Sequence, residues 1–357
     1  MIDKEEEKYL FWLCSISGLG ITAIRHLHEH FPDVRELYTM PEGQIKKAKF
    51  LKEKEKTLLI QARNTSKWER EWEDVMKRAI RFVSYFHEEY PPALRHIYQP
   101  PKKLMVKGRL PEPERTAVSI VGARNCTAYG RDMARLFGCR LAGAGILIIS
   151  GMALGIDGWG HQGALEGGGD TFAVLGSGVE VCYPSCHRAL YESIRTHGGI
   201  LSEYPIQAKA NPAFFPMRNR IISGLSHGIL VVEAREKSGS LITADAALEQ
   251  GKDVFVIPGR IGDELSTGCN RLIRQGAIPV LSPVDILEYY AVVPKKEPAV
   301  TGMERQILEY IGAKPVYIDQ LADVLQMPQT KLFKTILALK RKGWIEESAK
   351  GYFIKKI

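Results

Sequence analysis

Short apolar runs alternate with amphipathic segments through the middle of the chain, from about residue 76 to 290. Seven of these runs are apolar almost throughout and read AVSIVGA, ILIISG, TFAVLG, ILSEY, ILVVEA, DVFVIPG and IPVL. Strands without a polar face, each followed by a helix, are typical of a parallel sheet that is buried on both sides. The pattern therefore predicts a doubly wound α/β fold, with IRFVSYF and KLMVKG as two further strands upstream.

A glycine stands just before most of these strands. The segments that show it are GAGILI, GGGDTF, HGGILS, SHGILV, EQGKDV and RQGAIPV. Glycine adopts the left-handed conformation that ends many helices, because it has no Cβ. We therefore expect each of these glycines to end a helix and lead into the next strand.

The first 75 residues have the periodicity of short helices. EKYLFWLCSI, ITAIRHLHEHF and a Lys/Glu-rich stretch ending in KWEREWEDVMKR predict a small helical domain over residues 1–75. Gly18 and Gly20, in SGLG, form the turn between the first two helices. Such a turn is either structural, or binds a phosphate of a nucleic acid through exposed amides, and both interpretations stay open.

The end of the chain predicts a separate small domain. Residues 291–302, AVVPKKEPAVTG, have the Pro and Lys content of a linker. Residues 303–357 then read as three helices and a hairpin, which is the order of a winged helix. This segment is basic, so it binds either duplex DNA or a protein, and the sequence favours neither.

Composition narrows the class of partner. The 357-residue chain has 49 Lys and Arg against 41 Asp and Glu, a formal net charge of +8, which fits a nucleic-acid or phosphate partner. Six scattered cysteines lack the spacing of a zinc site, so we expect reduced, mostly buried thiols and no metal. The first residues lack a signal-peptide pattern and no apolar run is long enough to span a membrane, so we expect a cytoplasmic protein.

The loops that follow the predicted strands carry the candidate chemistry, because doubly wound sheets bind ligands beyond the carboxyl ends of their strands. Glycines in these loops let backbone amides approach a ligand, and the helix N-termini that follow favour an anion. The candidate anion-binding residues are Gly122, Arg124, Ser150, Gly151, Ser177, Lys237, Ser238, Gly239, Ser240 and Thr243. Together they predict a site for a run of phosphates.

The sequence contains no GxxxxGK[ST], GxSxG or HExxH motif, which argues against a P-loop ATPase, a serine hydrolase and a zinc peptidase. Asp157 and His161 are four residues apart and form either a metal or acid–base pair or, as we favour, a capping Asp and a packing His. Glu203 and Glu233 end strands, as catalytic carboxylates or, as we favour, as braces for loops. We therefore predict no catalytic residues and no cofactor.

The segment FPMRNRIISGLS, residues 215–226, predicts a helix that begins near Pro216. Arg218 and Arg220 would then lie in its first turn, on either side of Asn219, where cations are disfavoured by the helix dipole. Guanidinium groups bind phosphates in fork geometry, so we expect these residues at the mouth of the anion-binding loops. The alternative is that both arginines brace acidic neighbours.

Two aromatic residues, Phe214 and Phe215, precede these arginines. A nucleobase stacks on such a ring whatever its identity, while the neighbouring cations neutralise phosphates. The combination indicates single-stranded nucleic acid. The alternative is that both rings belong to the hydrophobic core.

Several segments closely resemble the motifs of the DNA-processing protein A family, also called DprA or Smf. They run from about residue 118 to 278 and read VSIVGARNCTAYG, SGMALGIDGWGHQGAL, FAVLGSGVEVCYP, LSEYP, the stretch from FFPMRNR to FVIPG, and STGCNRLIRQGA. Looser similarity covers both flanks. The resemblance implies an extended Rossmann fold, preceded by a SAM-like helical domain and followed by a winged-helix domain.

The resemblance also implies a homodimer that binds single-stranded DNA in natural transformation, protects incoming strands and loads the RecA recombinase. A lysine that some members place six residues before the first arginine of RNR falls on Pro212 here, and Lys209 is the nearest substitute. The family's other DNA-binding positions fall on Arg124, Arg218 and Arg220, with Phe215 as the stacking aromatic.

A different class of function stays open beside this one, a nucleotide-cleaving phosphoribohydrolase on a related fold. Those enzymes carry PGGxGTxxE, whereas PGRIGDE here lacks the second glycine and the threonine, which favours the protein without catalysis. The chain also has Gly160 before His161 where the family has GIDxxAH. For the dimer we expect the last helix and strand of the sheet, with Leu272, Ile273 and Ile278 near that edge.

Overall fold

The computed structural model describes residues 4–293, 302–311, 315–341 and 344–355. Two compact units divide the chain, Met1–Val293 and Pro294–Ile357. The predicted linker over residues 291–302 falls mostly on residues 294–301, which lie outside the described ones.

Six helices open the first unit, and their apolar faces share a core with the sheet through residues such as Met105. Gly18 has a φ of +80° in the turn between the first two helices. In that turn the Nζ of Lys102 donates to the carbonyl oxygens of Ile16, at 2.9 Å, and Leu19, at 3.1 Å. The turn therefore offers carbonyl groups to an internal ammonium group. The helices are α1 (Lys4–Ser15), α2 (Ile21–His30), α3 (Val34–Thr39), α4 (Glu42–Lys47), α5 (Glu53–Arg63) and α6 (Lys67–Lys77).

Nine strands form one sheet in the spatial order β1-β2-β6-β5-β4-β3-β7-β8-β9. They are β1 (Arg81–Ser84), β2 (Lys103–Gly108), β3 (Ala117–Val121), β4 (Leu147–Ser150), β5 (Thr171–Val174), β6 (Gly198–Ser202), β7 (Gly228–Val231), β8 (Asp253–Val256) and β9 (Ile278–Pro279). Strands β3 to β9 are parallel, and β1 and β2 extend one edge antiparallel. Every strand predicted from an apolar run is present, and the doubly wound α/β fold is confirmed.

Helices cover both faces of the sheet. They are α7 (Ala128–Gly143), α8 (Ile156–Glu166), α9 (Arg188–His197), α10 (Phe214–Gly224), α11 (Gly239–Glu249), α12 (Thr267–Arg274) and α13 (Pro283–Tyr289). Helices α7, α8 and α13 pack in one core, whereas α10, α11 and α12 pack in the other. None of the described helices is both long enough and apolar enough to cross a membrane.

The glycines before the strands fall into two groups. Gly145, Gly168, Gly251 and Gly276 have the expected left-handed φ, between 67° and 102°. The expectation is wrong for Gly198 and for Gly228, which belong to β6 and β7. A Cβ at Gly198 would lie 1.9 Å from the carbonyl oxygen of Thr171 on the neighbouring strand. Those two positions need glycine because another group approaches closely, whatever their backbone conformation.

All six cysteines are free thiols. The expectation that most are buried is wrong, because only Cys14 and Cys269 are, while Cys186 is exposed and the other three are partly buried. Burial raises the pKa of Cys14 to about 11 and that of Cys269 to about 12, so both stay protonated at neutral pH.

The second unit has its own hydrophobic core, built from residues such as Ile307, Leu321, Ile336 and Phe353. Its elements are α14 (Gly302–Tyr310), β10 (Val316–Tyr317), α15 (Ile318–Leu325), α16 (Gln329–Arg341), β11 (Ile345–Ala349) and β12 (Tyr352–Lys355). The three strands form a sheet in the order β10-β12-β11. This arrangement fits the predicted winged helix.

Candidate nucleic-acid interface

A cleft of about 480 Å³ opens at the carboxyl end of the sheet, beside the loop after β3 and helices α8, α10 and α11. From the adjacent strands β3 and β7 the chain winds outward in opposite directions, so the cleft lies at the topological switch point where doubly wound sheets bind ligands. Its lining residues are Val121, Gly122, Arg124, Ala153, Asp157, Tyr183, Pro212, Phe215, Pro216, Arg218, Asn219, Ile222, Ser238, Gly239, Ser240, Ile242 and Thr243.

An aromatic wall with a cation beside it forms one side of the cleft. The guanidinium carbon of Arg124 lies 5.1 Å from the ring centroid of Phe215, and Arg124 is exposed to solvent. The ring of Tyr183 lies 5.8 Å from that of Phe215, tilted by 31°. Behind Phe215 the backbone comes close, since a Cβ at Gly176 would be 2.6 Å from the ring. The wall thus presents stacking surface and positive charge together.

The N-terminus of α11 forms another side. Ser238 is its N-cap, and the Ser238 Oγ accepts a hydrogen bond from the backbone N–H of Ser240 at 3.4 Å. Gly239, also at the cleft, is exposed and carries no side chain that would hold a ligand away from the backbone. The positive end of the helix dipole therefore faces the cleft, where it favours an anion.

Arg218 lies in the floor of the cleft and is 4 % exposed. Its Nη1 donates to the carbonyl oxygens of Gly151, at 2.8 Å, and of Val174. The guanidinium lies so close to Gly151 that a Cβ there would be 2.4 Å from its nitrogens. Burial lowers the pKa of Arg218 to about 10, against the attraction of Asp157, so the group stays charged at neutral pH. Arg218 is thus a fixed positive charge beneath the cleft.

Asp157 and His161 have structural surroundings. Asp157 accepts a hydrogen bond from the N–H of Gly151 at 3.2 Å, and burial raises its pKa while Arg218 opposes the rise. His161 is fully buried with its Nδ1 2.6 Å from the Oγ1 of Thr171. Burial lowers the pKa of His161 to about 3, so it is neutral at pH 7. His161 is buried, as expected of a packing His. The capping role expected for Asp157 is wrong, because Asp157 lies inside α8, whose N-cap is Gly155, and its carboxylate accepts from the preceding loop.

Glu203 and Glu233 both brace neighbouring elements. Glu203 pairs with Arg220 at 2.6 Å, and Glu233 accepts hydrogen bonds from the N–H and the Oγ1 of Thr127, the N-cap of α7. Each carboxylate is therefore engaged in holding a loop or a helix start. Among the described residues, no three His, Cys, Asp or Glu side chains are placed to hold a metal ion.

Comparison with known proteins identifies the family. Residues 81–291 match the model of the family described as DNA recombination-mediator protein A. The chain belongs to this family. Protein Smf of Escherichia coli is 39 % identical over 279 residues, which cover 74 % of this chain and 75 % of that protein. The DNA processing protein DprA of Bacillus subtilis is 41 % identical over 213 residues, 59 % of this chain and 72 % of that protein.

Two solved structures of DNA processing protein A share the fold. The X-ray structure from Streptococcus pneumoniae has a TM-score of 0.68 and 32 % identity, and covers 81 % of this chain and 98 % of that chain. The structure from Helicobacter pylori has a TM-score of 0.53 and 28 % identity, and covers 59 % and 96 %. The Helicobacter structure was reported for what it shows of the single-stranded DNA binding mode of that protein.

Nine of the predicted site residues come together in the cleft of this family member, and six do not, namely Ser150, Gly151, Ser177, Lys209, Arg220 and Lys237. Ser150 is fully buried and donates from its Oγ to the carbonyl oxygen of Ile120 at 2.6 Å, and Gly151 lies behind Arg218. Lys209 and Lys237 are exposed outside the lining. The residues in the cleft are Gly122, Arg124, Phe215, Arg218, Asn219, Ser238, Gly239, Ser240 and Thr243.

The expected placement of Arg220 at the cleft is wrong, because Arg220 lies two residues after Arg218 on the same helix. Helix α10 begins at Phe214 rather than near Pro216, so Arg218 and Arg220 lie in its second turn. Successive residues of an α-helix are about 100° apart, so these two side chains point to nearly opposite sides. Arg218 turns to the cleft floor and Arg220 turns to Glu203.

Several lining residues were absent from the predicted site. Tyr183 could have been predicted as a lining residue, because it is aromatic and follows the loop after a predicted strand. No sequence pattern predicted that Pro212, Pro216 or Ile242 would line the cleft, since apolar residues near a helix start usually belong to the core. Phe214, by contrast, stacks on Tyr204 with centroids 3.9 Å apart and is not in the lining.

Proposed function

We propose that this chain binds single-stranded DNA in the cleft, through phosphates and base stacking, as a recombination mediator without catalysis. The contact of the Arg124 guanidinium with the Phe215 ring, at 5.1 Å, carries the proposal. A cation and an aromatic face at one edge suit a nucleotide, whose phosphate and base lie side by side. Family membership and the described single-strand binding of the Helicobacter relative support it.

The cleft favours one strand over a duplex. Its phosphate-binding groups, Arg124 and the N-terminus of α11, lie on two sides of a space of about 480 Å³. A single strand bends to follow closely spaced groups, whereas a duplex is stiff and keeps its bases stacked inside. Phosphate contacts and stacking carry little sequence information, so binding depends little on base identity.

The groups in and under the cleft support a role without catalysis. Asp157 is the sole carboxylate among the lining residues, and it is engaged with the Gly151 N–H above the charge of Arg218. His161 is neutral and fully buried. An acid–base catalyst needs a titrating group within reach of substrate. His161 lies outside the lining, and the proposal gives Asp157 the role of holding the Gly151 N–H beside the Arg218 charge. The PGRIGDE segment contributes no lining residue, so the nucleotide-cleaving alternative gains no support.

We propose further that the protein is a cytoplasmic homodimer that protects incoming strands in natural transformation and loads the RecA recombinase on them. Family membership supports this role. For the dimer, the edge near β9 and α13 offers Leu281, which is 85 % exposed, and Val284, which is 51 % exposed. Leu272 is 1 % exposed and belongs to the core, so of the expected contacts only Ile273 and Ile278 retain accessible surface.

Fluorescence anisotropy with labelled oligonucleotides tests the binding. We expect the full chain to bind oligo-dT and mixed single strands alike and a duplex of the same length more weakly. Arg124→Ala should weaken single-strand binding and lower the slope of log affinity against log salt by about 0.7, the contribution of one phosphate contact. Arg260→Ala is the matched control, because Arg260 is exposed after β8 and outside the cleft. A wild-type slope in Arg124→Ala would overturn the proposal.

A further inference from the structure

A second aromatic–cation pair lies on the surface outside the cleft. Trp159 is 37 % exposed, and the guanidinium carbon of Arg131 lies 5.9 Å from its ring centroid. Three other tryptophans of the first unit, Trp12, Trp68 and Trp72, are at most 8 % exposed. Trp159 therefore keeps in solvent the kind of surface that the other tryptophans bury.

Close packing of two helices brings this pair together. A Cβ at Gly163, on α8, would lie 2.1 Å from the carbonyl oxygen of Arg135 on α7. The residues one turn earlier on these helices are Trp159 and Arg131, which places the cation directly beside the ring. Both side chains lie near the N-terminal ends of their helices, at the same edge of the sheet as the cleft.

The start of the helix that carries Trp159 packs against the loop that carries Arg124. Gly155 immediately precedes α8, and a Cβ there would lie 2.3 Å from the carbonyl oxygen of Arg124. The N–H of Trp159 donates to the carbonyl of Gly155 at 3.1 Å, so Trp159 lies one helical turn, about 5.4 Å, further along the axis of α8. Exposed Leu154 lies next to this path. Trp159 therefore lies one helical turn beyond the backbone that contacts the Arg124 loop.

The charge beside Trp159 is available to a phosphate. The Nε of Arg131 donates to the Oδ1 of Asp132 at 2.8 Å, while its two terminal nitrogens have no hydrogen-bond partner among the described residues. A guanidinium held by one neighbour keeps its outer edge for a second acceptor. An aromatic ring and such a cation together suit one further nucleotide of any base.

We propose that Trp159 and Arg131 form an outer nucleotide position, where a single strand emerging from the cleft stacks a base and places a phosphate. This rests on the proposed function, because the strand must first occupy the cleft. Short strands that fill only the cleft do not reach the outer position, whereas longer strands do. The contribution of Trp159 therefore depends on strand length.

The test compares oligo-dT of about four and about twelve nucleotides, lengths within the range of single-strand binding sites. In the full chain, Trp159→Ala should weaken binding of the longer strand about tenfold and leave the shorter unchanged. Arg131→Gln should lower the salt slope for the longer strand only. Tyr98→Ala is the matched control, since Tyr98 is 79 % exposed and follows Ile97, which packs at Gly224, the last residue of α10.

Tryptophan fluorescence gives a second readout that does not depend on removing the side chain. Wild-type emission should fall when the longer strand binds, and Trp159→Phe should lose this change while keeping affinity within about twofold, because phenylalanine still stacks. Equal affinity of wild type and Trp159→Ala at both lengths would overturn the outer position, as would equal losses at both lengths. Failure of the wild type to bind either strand would instead overturn the proposed function itself.

Discussion

The substitution Arg218→Ala tests whether Arg218 stabilises the fold as a buried cation, in contrast to Arg124, which is exposed to a ligand. The Arg218 guanidinium is 4 % exposed and donates to the carbonyl oxygens of Gly151 and Val174. Truncation to alanine leaves both acceptors buried without a donor, and it also removes the charge that attracts the Asp157 carboxylate. A buried polar group that loses its partner costs about 1–3 kcal/mol.

Two such carbonyl groups give an expected loss of about 2–6 kcal/mol in the free energy of unfolding, before any contribution from Asp157. The matched variant is Arg124→Ala, whose side chain is exposed at the cleft. An exposed substitution of this kind changes stability by no more than about 0.5 kcal/mol. Although both arginines belong to the predicted site, their substitutions should therefore differ clearly in their effect on the free energy of unfolding.

Urea denaturation measures the difference, followed by the emission of Trp12, Trp68 and Trp72 in the first unit. Stability is read from the shift of the midpoint multiplied by the slope of the transition. An Arg218→Ala variant that stays within about 1 kcal/mol of the wild type would refute the reasoning, because the two carbonyls would then have found other donors or solvent. Circular dichroism at zero urea checks that both variants start folded.

Three further outcomes follow from the same geometry. Gly176→Ala should weaken single-strand binding about tenfold in an anisotropy titration, because its Cβ would lie 2.6 Å from the Phe215 ring and displace that face; unchanged affinity would show that the ring moves without loss. The pKa of His161 is about 3 in the folded protein and near 6.5 when unfolded, so its contribution to stability is present above pH 6.5 and is lost as pH falls toward 3. Between pH 7 and pH 5 the loss is about 2 kcal/mol, and His161→Gln should abolish this difference in urea titrations; the same acid slope in the variant would contradict it. Leu281→Asp together with Val284→Asp should convert a dimer into a 40.0 kDa monomer in analytical ultracentrifugation, whereas a dimer in the double variant would exclude this edge.

The fold was predictable from the sequence because its strands lack a polar face. Runs such as AVSIVGA and ILIISG leave no side that could meet water, and the observed strands β3 and β4 are fully buried. The same logic located the cleft, since loops after parallel strands share one edge of the sheet. Gly198 and Gly228 were misinterpreted because glycine is needed both where another group approaches the backbone closely and in a left-handed turn, and the residue type alone does not distinguish the two.

The direction of single side chains could not be predicted. Arg218 and Arg220 are the same residue type on one helix, and the way α10 packs on the sheet decides which one faces the cleft. Phe214 and Phe215 are likewise adjacent and identical, but one stacks on Tyr204 and the other faces Arg124. Partners such as Tyr204 and Glu203 follow from the packing of α10 against the segment after β6, which no local sequence pattern predicts.

The pair Phe214 and Phe215 gives the most direct test of single-strand binding in the cleft. The Phe214 ring stacks on the Tyr204 ring, with centroids 3.9 Å apart, whereas Phe215 lines the cleft beside Arg124. An anisotropy titration at two salt concentrations should show Phe215→Ala weaker by about 1–3 kcal/mol with the wild-type salt slope, because stacking releases no counterions, and Phe214→Ala close to wild type. Wild-type affinity in Phe215→Ala, or a change in its salt slope alone, would contradict the stacking cleft.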